Sequence, residues 1–529
     1  MKRALSVWHV AREYAGIAEA GGVKDVVRGL AEALSRAGGS ASVVLPLYGF
    51  MEEDFRRAPV AATFALSLPD QDRENRFFAE EVAVRVAARG SVRLLLVDAA
   101  RFSAARDVYV YTEQDETENR WRKRGTGHWD FHQKNLLLQR AALEAALALG
   151  EKPDVFHCHD GHTAFLPALL REDPRYAHAL SSCHAILTIH NAGAGYHQEV
   201  WDPHFCHLLT GLAPDVLEKG ILGGTVDPLL LAGSYAPLVT VSEQYARELM
   251  DGQDIRENGG LGAALRARGL ALAGITNGID PGAYDPRRLP GPVPFSFDPS
   301  RGDLAGKRKC RDSLGGKLGN PGAVGEEGPL YAFVGRLTGQ KGIDILIRAL
   351  RALVRGESFR RFIVMGRGDK ELEAMLSSLA DEALSGGRLT FLPRYDPDLA
   401  SLVYAASDFF LIPSAFEPCG LTDFIAQLMG SIPVVHRVGG LYKVRDGETG
   451  YSYDQHTPAA LVEAVERTTR LYSQSQDVLE RIRRTSFAEI FALHTWDRVF
   501  ADSYRPLYES LGESDIRGAP WRGDAWTQR

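Results

Sequence analysis

The sequence predicts an α/β protein made of two doubly wound domains. Three observations lead there. Apolar runs of strand length alternate with helix-period segments along the chain, the mark of parallel sheets covered on both faces. The series occurs twice, once in each half. The 529 residues are also too many for one hydrophobic core.

In the first half, residues 4–10 read as a strand. Residues 21–38 read as a helix with Val23, Val26, Val27, Leu30 and Leu34 on one side. Strands follow at 42–46 and 92–97, a strongly apolar helix at 135–149, then strands at 155–159, 185–190 and 238–241. The second half repeats the scheme, with strands at 330–334, 362–365, 389–392, 409–412 and 433–436 and a helix at 343–354. Residues 73–130 are polar and charged and read as an irregular excursion of the first domain. Residues 286–329, rich in Gly and Pro, read as a long surface connection early in the second.

Hydrophobic residues make up 45% and charged residues 24%, ordinary for a soluble globular chain. A formal net charge of −7 argues against nucleic acid or an anionic membrane as partner. Cys158, Cys183, Cys206, Cys310 and Cys419 form no C-x-x-C pair, so neither a zinc site nor a disulfide framework is expected. Free thiols fit a reducing cytoplasm. The apolar run at the start is too short for a signal peptide. No run reaches the roughly 20 apolar residues that a membrane span needs.

Open parallel sheets bind ligands beyond the carboxyl ends of their strands, so the residues there carry the functional reading. After the first strand come Gly21 and Gly22, with Asp25 close behind in a helix. Two glycines opening a helix offer N–H groups and a dipole to an anion, or else form a tight turn needing positive φ. After the strand residues 155–158 comes His159-Asp160-Gly161-His162, a set that can ligate metal, bond sugar hydroxyls or cap a helix. His190 and Asn191 end the next strand, able to hold a hexose or to sit satisfied in the core. In the second half, residues 335–342 (GRLTGQKG) put Arg336 and Lys341 on one strand-to-helix turn. Two cations converging there would neutralise a diphosphate leaving group. Residues 413–422 (PSAFEPCGLT) place Glu417 in a Pro-flanked loop, where its carboxylate can accept from sugar hydroxyls. The N–H groups around Gly420, Leu421 and Thr422 can hold phosphate.

These segments, with residues 153–166 (PDVFHCHDGHTAFL), 240–248 (TVSEQYARE) and 276–280 (TNGID), resemble the bacterial glycogen synthase and plant starch synthase family, nearly from end to end. A second Glu eight residues after the first marks many related glycosyltransferases. Here that position is Ile425, which favours the synthases.

The resemblance implies two Rossmann-like domains facing across a cleft, the GT-B arrangement. Residues 1–272 would be the glucan or acceptor domain, rejoined by a return helix within 490–511, and residues 273–489 the nucleotide-sugar domain. It further implies that Arg336 and Lys341 grip the donor phosphates, that Glu417 and Asp160 hold the glucose, and that His190 lies beside the anomeric centre. Asn277 and, less specifically, Tyr395 would contact the donor, the latter stacking on the base. Gly21, Gly22, Asp25, Cys419, Gly420, Leu421 and Thr422 complete the donor set.

The implied reaction is retaining transfer of glucose from ADP-glucose, or UDP-glucose, to the non-reducing end of an α-1,4-glucan. No cofactor and no metal are expected. The family's first loop reads Lys-Thr-Gly-Gly, but here it is Glu19-Ala20-Gly21-Gly22. Replacing attraction by repulsion at about 4 Å, with an effective dielectric near 20, would shift that interaction by several kcal/mol. Lys24 and Arg12 are candidate replacements. The departure leaves two further readings open: a catalytically weak paralogue that binds glucan or senses nucleotide sugar, and a glucosyltransferase with a small acceptor.

Overall fold

The computed structural model describes residues 4–70, 76–193, 195–252, 258–288, 290–325, 327–355, 359–381 and 386–513. The chain forms two compact units. Unit 1 is Met1–Gly278 with Trp496–Arg529, and unit 2 is Ile279–Thr495. The divide therefore falls after Gly278 and before Trp496, against 272 and 490 read from the sequence. At the divide, Ile279 N–H donates to His494 O at 2.8 Å.

Unit 1 holds a nine-stranded sheet. Its strands are β1 (Ser6–Val10), β2 (Ser40–Pro46), β3 (Val60–Pro69), β4 (Phe77–Arg89), β5 (Val92–Asp98), β6 (Val155–His159), β7 (His184–Ile189), β8 (Leu238–Thr240) and β9 (Leu272–Gly274), in spatial order β9-β8-β7-β6-β1-β2-β5-β4-β3. Strand β1 is central, pairing in parallel with β2 (Trp8↔Ser42) and with β6 (Trp8↔Phe156). The order reverses at β1, so the loops after β1 and β6 open at a switch point, where such sheets bind ligands. The parallel strands are buried on both faces and read as continuous apolar runs for that reason.

Two readings from the sequence are corrected. Residues 73–130 are not an irregular excursion throughout: β4 runs for 13 residues, antiparallel to β3 and β5. Its period-two pattern is masked because the inward positions Glu80, Val82 and Val84 include a carboxylate, which Arg101 pairs at 3.1 Å. Residues 73–75 lie outside the described residues. The stretch 286–329 is likewise more than a surface connection. It contains the helix Ala305–Lys317, which buries Cys310 and Leu314 and hides among charged residues in the sequence.

Unit 2 holds a six-stranded, all-parallel sheet of β10 (Leu330–Val334), β11 (Arg361–Met365), β12 (Leu389–Leu392), β13 (Phe409–Ile412), β14 (Ile432–His436) and β15 (Tyr451–Tyr453), in order β12-β11-β10-β13-β14-β15. This is the Rossmann order, with its switch point between β10 and β13. Two apolar clusters, one around Tyr331, Leu346 and Phe409 and one around Ala332, Val403 and Phe410, take alternate residues of the strands.

The returning segment consists of the helix Trp496–Val499, a π turn Phe500–Tyr504 and the helix Arg505–Glu513. Trp496 is seated where a side chain at Gly29 would lie only 2.1 Å from its Nε1, so the first helix, Val23–Arg36, needs glycine at that point. Among the described residues, no helix is long and apolar enough to cross a membrane.

Candidate active site

In unit 1 the predicted residues gather at the carboxyl ends of β1, β6 and β7. Asp160, directly after β6, is a non-glycine residue with φ 59° and ψ 179°. That conformation costs an L-residue on the order of 1–3 kcal/mol and persists where its surroundings enforce it. Its carboxylate accepts from His190 N–H at 2.6 Å and makes no cap bond to the following turn, so the capping alternative falls away. Burial pushes the Asp160 carboxyl up to about 7, against the pull of the His190 and Asn191 N–H groups.

The histidines form a buried array. His9 Nδ1 meets His159 Nε2 at 3.2 Å, and His159 Nδ1 meets His190 Nε2 at 3.0 Å. Alongside, His157 bonds Tyr508 of the returning helix and Thr188, each at 2.7 Å. Burial lowers His9 to about 3 and holds His159 and His157 well below the usual imidazole range; His190 is lowered too. The rings are therefore neutral, and each N···N contact holds one proton.

His9 Nε2 is buried with no partner. A stranded N–H is the rarer and costlier orphan than a stranded lone pair, so the His9 proton sits on Nδ1. Protonation then follows along the array: His159 carries its proton on Nδ1, and so does His190, which presents Nδ1–H as a donor. Ligand atoms of His9, His157 and His159 lie within 4.8 Å of one another. Apart from His9 Nε2, however, every nitrogen of that trio already has a partner.

The glycine loop is partly occupied. Glu13, itself buried, accepts from Gly21 N–H at 2.6 Å, from Ala20 N–H at 3.1 Å and from the Tyr109 hydroxyl at 2.7 Å. Neither Gly21 nor Gly22 takes a positive φ, so the tight-turn alternative is not the reason for them. Glu19 turns back to accept from Gly16 N–H at 2.6 Å. Asp25 is taken up by Lys24 at 3.0 Å. The two candidate replacement cations are both engaged: Lys24 with Asp25, and Arg12, buried, with Tyr48, Asn135 and Val108 O. Asn277 is buried, and its Oδ1 has no partner.

In unit 2 the structure brings Lys341 and Glu417 into contact. Lys341 Nζ lies 2.6 Å from Glu417 Oε2, and the Ser414 hydroxyl donates to the same oxygen at 2.8 Å. Glu417 Oε1 has no partner among the described residues, so an acceptor remains for a ligand hydroxyl. Two more contacts stitch the loops together. Ala415 N–H donates to Gln340 O at 2.9 Å. A Cβ at Gly342, whose φ is 67°, would stand 1.8 Å from Pro413 O, a closeness only glycine allows.

Glu417 is 7% exposed. Burial would raise its carboxyl, but Lys341, Ser414 and Lys443 outweigh it and hold it below the usual range. Arg336, on the same loop as Lys341, is exposed and makes no ion pair or hydrogen bond among the described residues. Gly420 takes φ 75°, and the helix Thr422–Leu428 begins at Leu421 without a side-chain cap. Glu417 is thus not a helix cap. Cys419 is buried, and Tyr395 is 66% exposed.

Residues 6–267 match the starch synthase catalytic domain family, and residues 328–470 match the glycosyl transferases group 1 family. A glycogen synthase from Streptococcus equi subsp. equi is 31% identical over 516 residues, spanning 95% of this chain and all of that one. The chain belongs to the glycogen and starch synthase family. A glycogen synthase from Lactiplantibacillus plantarum is also 31% identical, over 96% of this chain and 99% of its own. Among solved structures, the catalytic domain of Arabidopsis thaliana starch synthase IV, bound to ADP and acarbose, superposes with a TM-score of 0.77 at 26% identity, covering 97% of this chain and all of that one. The protein is a glycosyltransferase of the glycogen/starch synthase type with the GT-B fold, working on a nucleotide sugar and a glucan.

Several working groups of this family member are not visible in its sequence motifs. Lys443 donates to Cys419 O and Gly420 O and pairs with buried Asp423 at 3.2 Å, bracing the turn that carries Glu417. Burial raises the Asp423 carboxyl, with Lys443 only partly offsetting it. His436 and His456 fix the carbonyls of Ser414 and Pro413 at 2.7 and 2.9 Å. His436 follows from the rule already used, as the last residue of a strand. Lys443 and His456 had no such signal.

Proposed function

We propose that the enzyme transfers glucose from ADP-glucose to the non-reducing end of an α-1,4-glucan, with retention, by front-face displacement. The Lys341–Glu417 contact carries this reading. It puts a cation suited to a leaving diphosphate beside a carboxylate suited to glucose hydroxyls. Arg336 supplies a second cation from the same turn. In the reaction, the bond from glucose C1 to the phosphate oxygen breaks. The departing phosphate takes the proton of the acceptor 4-hydroxyl, and that oxygen bonds C1 from the same face. The products are ADP and a glucan one residue longer. By the family resemblance we also assign His190, with its Nδ1–H as a donor, and Asp160 to the glucose.

Adenine is favoured by the ADP in the Arabidopsis relative and by the exposed ring of Tyr395, which offers a stacking face. Charge neutralisation rests on Arg336 and Lys341, so we assign no metal and no cofactor. We place the enzyme in the cytoplasm, without nucleic-acid or membrane partners. One observation favours a second reading, that of a weakly active paralogue: Glu19 stands where the family has Lys.

Purified protein assayed with ADP-glucose and UDP-glucose against glycogen, maltose and glucose separates the readings. Transfer from ADP-glucose to glycogen is the expected result. Glucan binding without turnover would establish the paralogue, and transfer only to maltose or glucose would establish a small-acceptor enzyme.

A further inference from the structure

Between β5 and the helix Phe131–Leu149, unit 1 carries two exposed tryptophans on a braced loop. Trp121 is 53% exposed and Trp129 38%. Their rings stand 6.4 Å apart at 78°, and Trp121 is set at 84° to Tyr111 beneath it. The Arg122 guanidinium lies 5.3 Å from the Trp121 ring and 5.6 Å from that of Tyr111. Main-chain bonds fix the loop: Tyr111 N–H to Thr126 O and Gly125 N–H to Tyr111 O, both 2.9 Å. Trp129 N–H donates to the Tyr111 hydroxyl at 3.2 Å. Nearby carboxylates are already spent, Glu116 on Lys123, Glu113 on Arg124 and Glu118 on Arg106. Two large rings held rigidly in water, with no core to join, mark a binding surface rather than packing.

We propose that Trp121 and Trp129 form a stacking platform for an α-1,4-glucan chain. Pyranose rings present an apolar C–H face that packs on an indole, while the indole N–H groups remain for hydroxyls. Successive glucoses of an α-1,4 chain turn relative to one another, which suits two faces at a steep angle. A flat β-1,4 chain or a run of stacked bases would want them coplanar. Arg122, over the Trp121 and Tyr111 rings, leaves its Nε without a partner as a donor for sugar hydroxyls.

The platform is also tied to the site. Tyr109 stacks on His162 at 4.8 Å and bonds Glu13. Tyr111 stands two residues on, about 7 Å along an extended chain. A glucan lying on the tryptophans is thus within a few sugars of the Asp160 loop. The choice of ligand rests on the glucosyltransferase reading.

The test uses the full chain in native gels containing glycogen, with isothermal titration of maltoheptaose and of cellohexaose as the β-linked control. Steady-state KM values for glycogen and for ADP-glucose complete it. Both side chains are exposed, so the Trp121→Ala/Trp129→Ala variant keeps its fold, checked by thermal midpoint. The expected result is maltoheptaose binding without cellohexaose binding in the wild type. In the double variant, glycogen affinity should fall about tenfold, the loss of two stacking contacts of ordinary strength, and the glycogen KM should rise in step while the ADP-glucose KM does not. Trp121→Phe/Trp129→Phe should retain most of the binding. Unchanged glycogen retention in the folded alanine variant, or equal binding of cellohexaose, overturns the platform. A wild type that transfers no glucose yet binds glycogen through these residues overturns the function proposed above and leaves the platform standing.

Discussion

Replacing Lys341 by Met separates a buried ion pair from a surface one. Glu417 is nearly sheltered from water, and its closest cation, 2.6 Å away, would be gone. Removing one member of a buried pair costs about 3–5 kcal/mol. Here Ser414 still donates and Lys443 still acts on the carboxylate, which places the loss at the lower end, about 3 kcal/mol. For a unit the size of Ile279–Thr495 that is a fall of roughly 5–10 °C in its thermal midpoint.

The pH dependence gives the sharper reading. In the wild type the Glu417 carboxyl titrates below its unfolded value. Its contribution is therefore present above the ordinary carboxylate range and lost as pH falls through the folded value. Without Lys341, burial dominates and the carboxyl rises, so protonation relieves the variant. The deficit should be full near pH 8 and mostly gone near pH 4.5. Scanning calorimetry at both pH values, with Glu417→Gln and the double variant, completes the cycle. The double variant should regain most of the stability and none of the activity. A Lys341→Met deficit that is absent, or that grows in acid, would show that the pair is neither buried nor coupled.

Asp160 should work in the opposite direction. Its carboxyl is raised to about 7, so its contribution is full below the ordinary carboxylate value and is lost as pH rises through about 7. Asp160→Asn, which keeps the acceptor for His190 N–H, should flatten that fall, on the order of 4 kcal/mol at most; urea unfolding from pH 5 to 8 checks it, and an unchanged slope would count against burial as the cause. Nitrogen NMR of histidine-labelled protein should find His190 neutral and protonated on Nδ1 between pH 6 and 8; protonation on Nε2 would reverse the array. Glu19→Lys gives up the hydrogen bond from Gly16 N–H and the 3.9 Å contact with Lys24, costing about 1 kcal/mol, and should keep or raise kcat/KM for ADP-glucose. A large activity loss would give Glu19 a role of its own.

The sheets were legible because their strands are buried on both faces. Runs such as 330–334 and 409–412 carry no polar residue to interrupt them. Strand β4 was not, because this half-buried antiparallel strand holds Glu80 inward where Arg101 meets it, and no local pattern announces a partner 21 residues away. On the donor side the reading of Arg336, Lys341 and Glu417 rested on strand ends, and two of the three touch. The histidine array was out of reach. His9 and His159 lie on β1 and β6, 150 positions apart, and His190 directly follows β7, so only the pairing of the three strands brings the rings together.

The charge balance of the first loop bears on the donor role proposed for Arg336 and Lys341. Glu13, Glu19 and Asp25 bring three carboxylates to the loop and the helix start. They face Arg12 and Lys24, and both cations are engaged by the protein's own groups. The Gly21 N–H, which an anion would use at a helix N-terminus, is given to Glu13. Glu13 cannot readily withdraw, since Tyr109 holds its other oxygen and is itself packed on His162. A diphosphate approaching this loop therefore meets an occupied cradle and a net negative charge. Under the donor role proposed for Arg336 and Lys341, Lys341 must also be shared with Glu417. On that accounting, Arg336→Ala should cost more in donor affinity here than the same change in a relative that keeps the first-loop Lys, a difference that donor KM values of the two enzymes and their variants would read directly.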